Sequence, residues 1–259
     1  MSALHDDVSA GAGIRTGEGN QAPIALCILS GTSVSPEIDA SDASVAFYRE
    51  RAQVLRLCGR WTEAVEAARK AIALDPNDPY GRNLLVDILL ERGEYADVIE
   101  ETASWLSLQP YNPAALEALA KAYWFKGDID AALRTMHRLL RLSPYDPNYR
   151  FQRGVLYQYK GAWGLAMEDF LAVLSSRCPD RLRERAEQAA ASLEHWQLRL
   201  IGMLLLESAP FRREFQVDPE ICVAGRGFRL TEAGVAVLRS LPQDFDPDSG
   251  WVQAAFRHE

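Results

Sequence analysis

Cysteine is scarce in this 259-residue chain, which holds four, at 27, 58, 178 and 222. They lie far apart and no Cys-x-x-Cys pair occurs, so their spacing points to neither a zinc ribbon nor a disulfide framework, and a reducing, cytoplasmic setting is expected. Long apolar runs are missing too. The longest nearly unbroken ones, Ala22–Leu29 and Leu198–Leu206, fall well short of the roughly 20 residues needed to span a bilayer, so no membrane association is expected. The N-terminus carries His5, Asp6 and Asp7 where a secretory signal would carry Lys or Arg. There is no excess of positive charge: 28 Lys and Arg stand against 36 Asp and Glu, for a net charge of −8. Six acids and one base in residues 1–44 give −5, and four acids and one base in residues 242–259 give −3. Val45–Leu241 therefore sums to zero, and a neutral middle has no field with which to collect phosphates, so no nucleic-acid partner is expected. Within it Arg134, His137, Arg138 and Arg141 lie at helical spacing and read as a solvated basic face.

Signatures of catalysis are also lacking. The four histidines, His5, His137, His195 and His258, show no HxxxH or HExxH spacing for a metal. The glycine-rich stretch GAGIRTGEG lacks the Gly-Lys-Ser/Thr of a phosphate-binding loop, and no GxSxG occurs. No enzyme activity, cofactor or metal is expected.

What the chain does have is a period. Pro76, Pro110 and Pro144 stand 34 residues apart, each closing a similar phrase: AIALDPNDP, WLSLQPYNP, LLRLSPYDP. Gly59, Gly93, Gly127 and Gly161 keep the same step, as do Ala64, Val98, Ala132 and Ala166. Between glycine and proline, apolar residues recur at helical spacing, as in Val98, Ile99, Thr102, Trp105 and Leu106. Each unit thus reads as two helices. The glycine supplies a left-handed turn between them. The proline ends the second helix, and a further proline (Pro79, Pro113, Pro147) opens the next, where its missing N–H costs nothing.

This pattern resembles the tetratricopeptide repeat. The first unit shows Tyr48, Ala52, Leu55, Gly59, Trp61, Ala64, Ala68, Ala71 and Pro76. The third shows Leu116, Leu119, Ala120, Tyr123, Gly127, Ile129, Ala132, Met136, Leu139 and Pro144, and the fourth Gly154, Tyr157, Gly161, Trp163, Ala166, Phe170 and Val173. The second is looser, with Val86, Leu89, Gly93, Tyr95, Val98 and Trp105, and Arg51 and Arg153 stand where Leu is usual. The resemblance implies an all-α fold: a right-handed α-α superhelix of about four helix pairs, in residues 45–78, 79–112, 113–146 and 147–180. Stacked pairs share one continuous core, so most of the column residues are core.

It also implies a concave face lined by the first helix of each pair and a protein-interaction function, with a peptide or partner protein held in the groove. Carried onto this sequence, that face offers Arg49 in the first unit, Tyr80 and Asn83 in the second, Lys121, Trp124 and Phe125 in the third, and Phe151 and Tyr159 in the fourth. A chaperone carboxylate clamp is not expected, because the matching positions hold Arg49, Gln53, Leu84, Ala114 and Ala118, and Leu and Ala cannot donate to a carboxylate.

The flanks complete the plan. Residues 1–42 read as a mostly disordered acidic segment. Residues 181–208 form a long helix with the stripe Leu182, Ala186, Ala189, Leu193, Trp196 and Leu200, suited to cap the array. Residues 209–241 read as a helix-turn-helix-like pair with Thr231 as an N-cap, and residues 242–259 as an acidic tail. The 209–241 stretch is similar in cadence to helical leader segments of ribosomally made peptide natural products and related bacterial modules. That likeness implies an alternative role, as an accessory protein recognised there by a modifying or processing enzyme.

Overall fold

Proline and glycine punctuate the backbone at every interval where the sequence repeats. The computed structural model describes residues 44–240; the acidic segments expected at both ends lie outside these residues. The described residues are all-helical, with twelve helices and no strand. The chain divides into two compact units, one through Ile88 and one from Leu89.

In the first unit, α1 (Val45–Leu57) and α2 (Trp61–Leu74) pack as an antiparallel pair, followed by the first ten residues of α3 (Pro79–Arg92). Small side chains dominate its core: Ala52, Ala64, Ala67, Ala68 and Ala71 are buried with Leu55 and Val65. Asp78 caps α3, its carboxylate accepting from the N–H groups of Tyr80 and Gly81 at 3.1 and 2.9 Å.

The second unit holds α4 (Tyr95–Leu108), α5 (Pro113–Lys126), α6 (Ile129–Leu142), α7 (Pro147–Lys160) and α8 (Trp163–Leu174). Each packs on the next in turn from α4 through α7, and α7 on α8. Leu116, Ala120, Ala132, Met136, Leu139 and Leu156 fill the layer among α5, α6 and α7. Phe151, Ala166, Met167, Phe170 and Val173 fill the next with Leu182, Ala186 and Leu193 of α9 (Asp180–Glu207). Asn112 and Asp146 cap α5 and α7 as Asp78 caps α3, with Pro113 and Pro147 as first helical residues.

Gly59, Gly93, Gly127 and Gly161 have φ of +72, +74, +86 and +79°. At each, the following N–H bonds back to the carbonyl five residues earlier: Arg60 to Leu55, Glu94 to Leu89, Asp128 to Tyr123 and Ala162 to Tyr157, all at 2.9 Å. This is the Schellman closure, which satisfies carbonyls the helix end would otherwise leave unpaired.

One periodic expectation fails. The buried stripe of α9 shifts in its second half from Trp196 and Leu200 to Gln197, Ile201 and Leu205. Gln197 is fully buried because its amide both donates to the Arg229 carbonyl (3.0 Å) and accepts from the Arg229 N–H (2.9 Å). Trp196 turns outward and stacks on Trp163, with centroids 3.6 Å apart. Nor are residues 209–240 a helix pair. They form three helices, α10 (Ala209–Val217), α11 (Pro219–Gly225) and α12 (Glu232–Ser240), because Asp218 caps a new helix opened by Pro219. Their Phe211, Phe215, Cys222, Val223, Phe228 and Leu238 share a core with Ile201 and Leu205, which buries the apolar end of α9. Among the described residues no helix is long and apolar enough to cross a membrane. Cys178 and Cys222 are free, but Cys58 is disulfide-bonded, which removes the argument from thiols to a reducing compartment.

Gly127→Ala should cost about 1 to 2 kcal/mol, the strain of a left-handed residue bearing a Cβ, because the new methyl would meet nothing within 4 Å. Gly225→Ala, with open space and no positive φ, should be near neutral. Urea unfolding of both variants checks the contrast.

Candidate aromatic interaction surface

The last turn of each first helix carries the residues next to the glycine turn. In the second unit these are Trp124 and Phe125 at the end of α5 and Tyr159 at the end of α7. They meet in one chain of rings. Trp124 stacks on Phe125 with centroids 6.2 Å apart and meets Tyr159 edge-on at 5.8 Å. The chain extends to Tyr95, in the first turn of α4, stacked on Phe125 at 5.3 Å and 16°. Phe125 and Tyr159 remain 41% and 47% exposed. They occupy equivalent positions 34 residues apart, so neighbouring pairs set their rings side by side.

Polar side chains frame these rings. Lys121 pairs with Glu117 one turn earlier at 2.8 Å. Lys160 reaches across to Asp130 at 2.6 Å and, through that hydrogen bond, holds the Asp130 carboxyl below its ordinary range. The surface is thus apolar and aromatic, with Lys121 and Lys160 beside it already partnered. Among the described residues no cluster of three or more His, Cys, Asp or Glu could hold a metal ion.

The other sequence-derived candidates fall elsewhere. Phe151 is a correction: it is only 6% exposed and packs on Phe170, with the Arg185 guanidinium over its outer face, so it belongs to the core. Alternate residues of a first helix can face either the groove or the next layer, and here α9 covers it. In the first unit, Arg49 bonds Asp78 at 3.2 Å and lies 5.5 Å from the Tyr80 ring centre. That ring is 72% exposed, and Asn83 is exposed on the same helix. Tyr95 was not among the candidates. It sits in the column of Trp61, Ile129 and Trp163 just after the glycine, and so read as repeat core.

Residues 28–153 match the family model described as Tetratricopeptide repeat. The helix pairs have the fold of tetratricopeptide repeats. Among solved structures, MamA protein shares 20% identity over 58% of this chain and 81% of its own, with a TM-score of 0.50. Residues 41-end of MamA from Desulfovibrio magneticus RS-1 share 19% over 52% and 76% of the two chains, with a TM-score of 0.46. TTC0263, a thermophilic TPR protein in Thermus thermophilus, shares 19% over 70% and 100%, with a TM-score of 0.47. At 20% identity the likeness to MamA protein establishes the fold alone. No curated protein matches the chain.

Within the last helix pair, Arg153 stands where the resemblance leads one to expect Leu and is matched by a buried partner. Asp169 on α8 accepts from it twice, at 2.8 and 2.7 Å, and this pairing raises the Arg153 pKa. Beside it, His137 Nε2 lies 2.9 Å from the Tyr157 hydroxyl. Burial, then the charge of Arg153 and to a lesser degree Arg141, hold the imidazole below the ordinary histidine range, against a smaller opposing pull from Asp169. The native state therefore binds this proton less readily than the unfolded chain. The resulting contribution to stability is present above the ordinary histidine pKa of about 6.5 and is lost as pH falls from there through the lowered value of the folded state. An NMR titration should place the His137 midpoint below that of an ordinary histidine, and Arg141→Gln should raise it.

Proposed function

We propose that the chain is a protein-interaction scaffold whose second unit offers the surface of Trp124, Phe125 and Tyr159, with Tyr95 beside it, to a peptide or partner protein. The observation that carries this reading is the ring chain in which exposed Phe125 and Tyr159 take equivalent positions of adjacent repeats, with half-buried Trp124 and Tyr95 packed beside them. Solvent-facing rings held rigid by one another bury large area on contact while losing little side-chain entropy, which is why Trp and Tyr dominate interface energetics. Tetratricopeptide repeats are suited to the role, because stacking supplies a rigid extended surface and leaves the outward residues free to vary. Lys121 and Lys160, both paired to carboxylates within the unit, supply a polar rim.

A second reading places recognition on the C-terminal helices, as an accessory protein read there by a modifying or processing enzyme. Exposed Val217 and Ile221, on α10 and α11, support it. Most other apolar side chains of these helices are committed to the core shared with α9.

Affinity capture from the source cell, followed by titration of the captured partner, separates the two. Trp124→Ala with Tyr159→Ala should weaken binding by at least about 30-fold, as loss of hot-spot residues does, while Val217→Ser with Ile221→Ser should leave it unchanged. The reverse pattern supports the accessory reading. Unchanged affinity in the aromatic variant removes those rings from the interface.

A further inference from the structure

The basic stripe on α6 has company that its sequence did not announce. α7 packs beside α6 and brings Arg150 and Arg153 to Arg134, His137, Arg138 and Arg141, with Pro144 at the turn between the helices. Five guanidiniums and one imidazole thus line an open recess of about 720 Å³, and no carboxylate belongs to its lining among the described residues. Asp169 neutralises only Arg153. Arg138 and Arg150 donate to the carbonyl oxygens of Pro110 and Pro144, which orient the guanidinium planes without cancelling their charge. Arg134 and Arg141, both exposed, make no side-chain hydrogen bond or ion pair among the described residues.

We propose that this recess binds an acidic peptide segment of a partner protein, with Arg134 and Arg141 clasping its carboxylates at the rim and Arg138 and Arg150 fixed behind them. Guanidinium forks match carboxylates in bidentate geometry, and two unpaired forks set over orienting neighbours supply converging donors. A nucleic acid fits less well. Its phosphates need a basic track longer than one recess, and Val45–Leu241 as a whole carries no net charge. The site lies apart from the aromatic surface, on residues that reading does not use, so the two stand or fall separately.

Fluorescence anisotropy of the full chain with labelled hexaglutamate, hexaglutamine and an oligothymidylate tests the assignment. Hexaglutamate should bind, more tightly at low ionic strength, and hexaglutamine should not. Arg134→Gln with Arg141→Gln should weaken hexaglutamate by at least about tenfold, and the charge reversal Arg134→Glu with Arg141→Glu should abolish binding, with helical circular dichroism retained in both. Trp124→Ala with Tyr159→Ala should leave it unchanged. Absence of hexaglutamate binding, or equal binding by the arginine variants, overturns the proposal. So does oligothymidylate binding more tightly than hexaglutamate and being lost in the same variants, which would make the recess a nucleic-acid site.

Discussion

The left-handed glycine between paired helices is the constraint on which the rest depends. At four equivalent positions the backbone takes a φ that residues bearing a Cβ avoid, and the next N–H closes on the carbonyl five residues back. A helix ended in this way reverses direction within two or three residues. The side chains of its last turn are thereby held in a fixed relation to the first turn of the following helix. Phe125 and Tyr159 owe their common placement to that geometry, two residues before Gly127 and Gly161. Trp163 lies two residues after its glycine, and its indole donates to the Gly161 carbonyl at 3.0 Å. Without a reproducible reversal, a 34-residue repeat would not translate into a repeated surface.

Within that frame, individual repeats depart from the pattern wherever a neighbour compensates. Arg153 stands in a leucine column because Asp169 receives it across the pair, and Gly154 follows because a Cβ there would lie 2.7 Å from the Phe170 ring. At the C-terminal end, α9 covers the last pair with one half and receives the three short helices with the other. Glu194 accepts from both the N–H and the hydroxyl of Thr231 at 2.7 Å, and Gly234 leaves room for that carboxylate. Polar side chains of α9 therefore help to seat the loop before α12, beside Phe228 in the core it shares with Ile201 and Leu205. The recess between α6 and α7 arises the same way, from two helices whose charged faces adjoin.

The sequence made the helix pairs legible because glycine and proline act through the local backbone, and their spacing needs no knowledge of tertiary contacts. It made single-helix faces legible through periodicity. It could not say which neighbour covers a face. Phe151 read as a groove residue and is core, since α8 and α9 lie over it. Tyr95 read as core and is half-buried, stacked on exposed Phe125. Gln197 displaced Trp196 from the buried stripe because a loop 32 residues later offers it both a donor and an acceptor. The stripe on α6 read as solvated because Arg150 and Arg153 belong to a different helix. Each of these cases turns on contacts between elements, which a one-dimensional pattern does not record.

Recurrent glycine closures set the spacing of the helix pairs and, through it, the surfaces the pairs present. Amide hydrogen exchange followed by NMR measures those closures directly. The N–H groups of Arg60, Glu94, Asp128 and Ala162 should all be protected well beyond exposed loop amides, each being bonded to the carbonyl five residues before it. Exchange of these amides at the rate of unstructured backbone, with the helix interiors still protected, would contradict that role.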